Sequence, residues 1–205
     1  MAIKNIIFDL CGPIITIDIE MINGKLREFG VSEEKPYQKL RDEGLTKRYE
    51  AGLVSPEEFC DELRKILHSG MSNEQINKAW NTLIKDFPKS HIELLRQLKR
   101  EYRLFLLSNS DEINAQYFKD YLNGSSGFDL VHECFDEVFF SCELKDRKPS
   151  PPVFQHIVDK HRLEPSETLV VDDCKKHCDG AASIGLHTYF LKPGEDICEI
   201  SIATL

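Results

Sequence analysis

Short apolar runs, each closing on polar residues, punctuate the chain. Residues 4–8 (KNIIF) run into Asp9, residues 102–107 (YRLFLL) into Ser108-Asn109-Ser110, and residues 168–171 (TLVV) into Asp172-Asp173. Two further runs lie at residues 137–140 and 187–191. All five are rich in β-branched, aromatic or leucine side chains and too short for a helix, so they predict buried strands. Between them the apolar spacing changes. Ile92, Leu94, Leu95 and Leu98 share one face of a helix predicted over 90–100, and Val153, Phe154, Ile157 and Val158 do so over 150–161. A short helix over 179–184 ends before Gly185, a suitable residue just past a helix end.

Strands alternating with helices of this length predict parallel βαβ units, an α/β fold with a Rossmann-like parallel sheet core. Residues 18–88 break the rhythm. They read as successive helices over 19–29, 33–42, 45–51, 56–68 and 73–86, with Ser55-Pro56-Glu57-Glu58 supplying an N-cap, a first-position proline and acidic residues in the first turn. The expected organisation is therefore a core of residues 1–17 and 89–205 with a helical cap inserted over 18–88. The most loop-like stretch is 123–127 (NGSSG).

Composition narrows the function classes. With 205 residues, 41% hydrophobic and 30% charged, the chain is neither collagen-like nor disordered, and it can bury a core without staples. Its 26 basic and 35 acidic residues leave a net charge of −9, a poor match for a nucleic-acid backbone. No apolar run approaches the roughly 18 residues that a membrane helix needs. Seven cysteines, an odd count with no C-x-x-C and no signal-like start, predict reduced thiols and a cytoplasmic location. Cys174 and the pair His177-Cys178 lack a second ligand pair at zinc-finger spacing, so His177 and Cys178 are expected to serve packing or surface.

The chemistry lies at the strand ends. Asp9, Ser108-Asn109, Lys148 and Asp172-Asp173 would meet along the carboxyl edge of the sheet, where open α/β folds bind ligands. Carboxylates suit a hard cation such as Mg²⁺, and a carboxylate can attack phosphorus. A lysine, a hydroxyl and backbone N–H groups can cradle phosphate oxygens.

In order along the chain, Ile6-Ile7-Phe8-Asp9-Leu10 with Gly12, Leu107-Ser108-Asn109, Arg147-Lys148-Pro149 and Val170-Val171-Asp172-Asp173 resemble the four motifs of the haloacid dehalogenase (HAD) superfamily. Within it the chain looks most like bacterial glucose-1-phosphate phosphatase-type members. The resemblance implies a helical cap and a Mg²⁺-dependent phosphatase of small phosphorylated metabolites, with neither nucleic acid nor membrane as partner. It implies Asp9 as nucleophile, with Lys148 beside it. It gives Asp9, the Cys11 carbonyl, Asp173 and Asp172, the last directly or through water, as the Mg²⁺ site. Ser108, the Asn109 amide and Lys148 would bind phosphate.

One position departs from the pattern. Two residues after the nucleophile the family usually carries a second aspartate, which protonates the leaving alcohol and then activates water; here it is Cys11. A neutral thiol is a poor substitute for a tuned carboxyl, and losing acid–base help costs a factor of about 10²–10⁴. Cys11 leaves open a weak proton donor, a redox-sensitive thiol or a small tolerated residue, and it keeps alive a second class: a weakened or inactive relative that binds a phosphorylated ligand or a partner. C–halogen hydrolysis is disfavoured because dehalogenases resemble this motif with a tyrosine, and there is none. Pro13 also removes a backbone donor from the loop. Trp80 and Phe87 are expected as core or cap–core contacts.

Overall fold

The computed structural model describes residues 2–120 and 133–200; the 123–127 stretch lies outside them. In chain order the strands are β1 (Asn5–Phe8), β2 (Thr16–Ile17), β3 (Ile84–Asp86), β4 (Arg103–Ser108), β5 (Glu137–Phe140), β6 (Thr168–Asp172) and β7 (His187–Phe190). Five of them form one parallel sheet in the order β5-β4-β1-β6-β7. Each lies within one residue of its predicted run. Side chains alternate across the pleat. Ile6, Phe8, Leu106 and Val171 enter one core layer, and Ile7, Phe105, Leu107 and Val170 enter the other. Burial on both faces is why these strands read as continuous apolar runs.

The register aligns the chemistry. Phe8 pairs with Leu106 on one side and Val171 on the other, so Asp9, Ser108 and Asp172 emerge together at one edge. The central strand β1 is also where the chain order reverses, the place at which such sheets open a crevice.

The insert is helical: α1 (Ile19–Glu28), α2 (Pro36–Asp42), α3 (Leu45–Glu50), α4 (Pro56–Leu67) and α5 (Asn73–Trp80). It has its own apolar cluster, in which Tyr49 stacks on Phe59 at 4.1 Å between ring centres and Trp80 meets Phe59 edge-on at 4.8 Å. Ser55 and Glu58 form a reciprocal capping box at α4, and Ser72 and Gln75 do so at α5. Beyond the insert, α6 (Lys89–Leu98), α7 (Glu112–Asp120), α8 (Ser141–Leu144), α9 (Pro151–His161) and α10 (Lys175–Ala182) surround the sheet.

Three boundaries differ from expectation. The helix expected over 73–86 ends at Trp80; a 3₁₀ turn follows, and β3 pairs antiparallel with β2. The two chain crossings into the insert run side by side there, and pairing satisfies backbone groups that a longer helix would have satisfied within itself. The helix expected from residue 33 starts at Pro36, whose fixed φ and missing N–H suit a first position. The helix expected over 179–184 starts at Lys175; its polar first turn carries no apolar stripe and so left no periodic signal.

Trp80 joins the insert to the core. Its Nε1–H donates to Asp111 Oδ2 at 2.7 Å, both groups being buried. Asp111 Oδ1 also accepts the Asn114 amide at 3.0 Å at the start of α7. Burial nevertheless holds the Asp111 carboxyl above its ordinary pKa. Ser141 Oγ donates to the Glu50 carbonyl at 2.7 Å, a second tie across the same boundary. Replacing Trp80 by Phe keeps most of the packing and leaves Asp111 short of a donor. Urea unfolding of Trp80→Phe is expected to show a loss of about 1–3 kcal/mol; an unchanged midpoint would mean that this bond contributes nothing.

Candidate active site

Lys148 lies at the centre of the strand-end cluster. Its Nζ is 2.9 Å from Asp9 Oδ1 and 2.6 Å from Asp172 Oδ2. Lys148 is 1% exposed and Asp172 fully buried. The neighbouring Asn109 clasps the lysine's backbone, accepting the Lys148 N–H at 2.8 Å through Oδ1 and donating to its carbonyl at 3.0 Å through Nδ2. Gly180 lets α10 approach the next residue: a Cβ there would stand 2.1 Å from the Pro149 carbonyl oxygen.

Asp172 is engaged on every side. Besides Lys148, it accepts the Cys174 N–H at 2.8 Å and lies 2.9 Å from His177 Nδ1. Because a carboxylate only accepts, Nδ1 carries the proton. Burial raises the Asp172 pKa, but Lys148 and the His177 bond outweigh it and hold the carboxyl below its ordinary value. Asp9 is balanced the other way. Burial raises it, Lys148 lowers it, and the charges of Asp172 and Asp173 add to the rise, leaving it at about 6. Lys148 itself is pulled down by burial and carried above its ordinary value by the two carboxylates.

Asp173 is exposed and lies against the loop after β1. Gly12 has φ +104°, and a Cβ on it would fall 2.2 Å from Asp173 Oδ2. Only glycine therefore lets this carboxylate reach the loop that carries Cys11. The side of the Asp173 carboxyl turned to the protein is partly desolvated, and this and the Asp172 charge raise it above its ordinary pKa. Burial and the Asp9 charge push the Cys11 thiol far above its usual range, so it stays neutral at physiological pH.

The edge opens into a cleft of about 320 Å³ between sheet and insert, with Asp9, Cys11, Asn109 and Asp173 on its floor. Tyr37, Arg41, Thr46 and Lys47 reach it from the insert. Arg147 Nη2 lies 2.8 Å from Glu50 Oε2 on its wall, and burial holds the Glu50 carboxyl above its ordinary pKa despite that partner. A larger hollow of about 540 Å³ lies at the opposite edge of the sheet, around Lys4, Arg103 and Glu167, and holds none of these carboxylates.

The structure thus brings Asp9, Cys11, Lys148, Asn109, Asp172 and Asp173 together. Ser108 sits just below: it is fully buried, its Oγ has no hydrogen-bond partner, and it does not line the cleft. The Asn109 side chain is spent on Lys148, separately from the amide expected to bind phosphate. Oxygens of Asp9 and Asp172 and a His177 nitrogen lie within 4.8 Å of one another, but the Lys148 ammonium already sits on both carboxylates and disfavours a second cation between them. His177 was expected to serve packing or surface and instead holds Asp172. Arg147, Glu50, Tyr37 and Arg41 escaped sequence reasoning; the only signal was the place of Arg147 beside Lys148.

Comparison with known proteins gives the family. Residues 3–185 match the family described as haloacid dehalogenase-like hydrolase. D-ribitol-5-phosphate phosphatase of Bacteroides thetaiotaomicron is 26% identical over 195 residues, covering 95% of this chain and 94% of that protein. A HAD-family enzyme from the same organism, crystallised with magnesium and inorganic phosphate, has a TM-score of 0.86 at 30% identity over 96% of this chain and 98% of that one. A HAD-like family hydrolase from Porphyromonas gingivalis has a TM-score of 0.83 at 28% identity, covering 95% and 94%.

The raised Asp9 pKa has a signed consequence for the metal-free protein. An unfolded Asp9 releases its proton near 3.8, whereas the folded one keeps it to about 6. Between these values the native state binds more protons, so the Asp9 contribution to stability falls as pH rises through that window and is level above it. Unfolding midpoints followed across the window should fall more steeply for wild type than for Asp9→Asn; parallel curves would show that Asp9 titrates normally.

Proposed function

Because the chain belongs to the haloacid dehalogenase-like hydrolase family, we propose that it is a phosphatase of small phosphorylated metabolites, polyol or sugar phosphates, working through Asp9. The observation that carries this reading is a cleft-facing carboxylate held 2.9 Å from a buried ammonium, with Asp173 across Gly12. The cleft volume, about 320 Å³, suits a small metabolite. Ribitol 5-phosphate, the substrate named for the relative from Bacteroides, is of that class. The insert, with boundaries proposed at 18–88, acts as a cap whose Tyr37, Arg41 and Thr46 meet the organic part of the substrate.

In the proposed reaction an Asp9 oxygen attacks phosphorus and the bond to the leaving oxygen breaks, giving an aspartyl-phosphate and an alcohol that takes a proton from water or Cys11. Water then attacks phosphorus, loses its proton to solvent, and releases phosphate and free Asp9. Lys148 keeps Asp9 ionised and offsets charge on the phosphoryl oxygens. Asp172, fixed by His177 and the Cys174 amide, positions Lys148. The Ser108 hydroxyl, having no partner of its own, is the donor left for a phosphate oxygen that reaches it. The donor set of Asp9, Asp173 and the Cys11 carbonyl is all oxygen and fits Mg²⁺, which would draw charge from the phosphoryl group when bound.

The neutral Cys11 thiol places the weakness in proton transfer rather than in binding. Phosphate release from a panel of polyol, sugar and p-nitrophenyl phosphates tests this. Asp9→Asn is expected to abolish turnover with the fold intact. Cys11→Asp is expected to raise turnover by up to about 10²–10⁴, most for alkyl phosphates, whose leaving oxygen most needs a proton. If neither wild type nor Cys11→Asp releases phosphate from any substrate, the phosphatase reading fails and ligand binding without turnover replaces it.

A further inference from the structure

Away from the cleft, His91 lies in the first turn of α6 and is 8% exposed. Its Nδ1 is 2.9 Å from the Ile14 carbonyl oxygen, and its Nε2 is 3.1 Å from Asp196 Oδ1. A carbonyl only accepts, so Nδ1 carries the proton, and in the neutral ring Nε2 is a bare lone pair. That lone pair faces a carboxylate, which is another acceptor. Two acceptors this close call for a cation. Cys198 completes the group: the His91 nitrogen, the Asp196 oxygen and the Cys198 sulfur lie within 4.8 Å of one another.

The turn that carries the last two residues is well fixed. Asp196 accepts the Cys198 N–H at 2.8 Å, and Ile197 between them is 1% exposed. Asp196 and Cys198 therefore project from one pinned turn towards one buried imidazole. A histidine whose Nδ1–H is held by a carbonyl is oriented as metal-binding histidines are.

We propose that His91 Nε2, Asp196 Oδ1 and Cys198 Sγ form a second metal site, separate from the strand-edge carboxylates, for a thiol-binding divalent cation of the zinc type. Zinc binds nitrogen, oxygen and sulfur at about 2.0–2.3 Å in a tetrahedron, which places neighbouring ligands about 3.5 Å apart. A small closure of the present cluster meets that spacing, and water takes the fourth position. A thiolate selects against Mg²⁺ and Ca²⁺. On binding, the S–H bond breaks, a sulfur–metal bond forms and the proton goes to solvent. The competing cation is a proton on Nε2, which makes a plain His91–Asp196 ion pair and leaves the Cys198 thiol hydrogen-bonded with Asp196 and Ser90. The site would tie the turn after β7 to α6. Through Ile14, whose N–H donates to the Leu10 carbonyl, it would also brace the loop that follows Asp9.

Cobalt titration of the full chain, with excess Mg²⁺ present to fill the Asp9–Asp173 site, separates the two cations. The expected result is a saturable near-ultraviolet thiolate-to-cobalt absorption together with the visible bands of tetrahedral Co²⁺. Both should vanish in Cys198→Ala and persist in Asp173→Asn. Cys198 is exposed, so the variant should keep its fold, which circular dichroism checks; Asp196→Asn provides a second variant with the same expected loss. Absence of a thiolate band in wild type, or its survival in Cys198→Ala, overturns the proposal and leaves the proton as the cation.

Discussion

One buried ammonium holds the working edge of the sheet together. β1 and β6 run parallel and in register, so their carboxyl ends deliver two carboxylates, Asp9 and Asp172, to the same place. Out of water these charges would repel or take up protons. Lys148 reaches both, and removing one partner from such a buried group typically costs about 3–5 kcal/mol. The neighbouring contacts keep the ammonium there: Asn109 grips the lysine's backbone, and His177 and the Cys174 amide hold Asp172 from behind.

The arrangement gives the two carboxylates different properties. Asp172 is buried, fully bonded and held in its ionised form. Asp9 shares the lysine, faces the cleft and is raised to about 6. One carboxylate anchors and the other is left able to react, a division set by environment alone, since both are strand-end aspartates. Cys11, beside them, is kept neutral by burial and by the Asp9 charge. The insert above is tied down at Trp80–Asp111 and at Glu50, so the substrate space is framed on two sides.

The sheet was legible because its strands are buried on both faces and so leave uninterrupted apolar runs. The chemistry at strand ends was legible for a related reason: a polar residue that abruptly closes such a run needs an explanation. The pairing of β2 with β3 was not legible, since two and three residues carry no periodicity and their partner is distant in sequence. Nor was the clasp of Asn109 on Lys148, which spans 39 positions. His177 lay in a polar first turn, where nothing distinguished it from a surface residue until the fold set it against Asp172. The residues that reach the cleft from the insert, Tyr37, Arg41 and Thr46, sit on an ordinary amphipathic pattern, and only the placing of the insert over the sheet brings them there.

Hydroxylamine trapping tests directly whether Asp9 receives the phosphoryl group. An acyl phosphate reacts with hydroxylamine to give a hydroxamate, which peptide mass spectrometry locates. Because Cys11 is a poor base for the water step, the aspartyl-phosphate should build up during turnover. Wild-type protein quenched while hydrolysing substrate with Mg²⁺ should carry the hydroxamate on the peptide containing Asp9, and only when substrate is present. Phosphate release with no hydroxamate at Asp9 at any time point, or a hydroxamate on another carboxylate, would contradict the account.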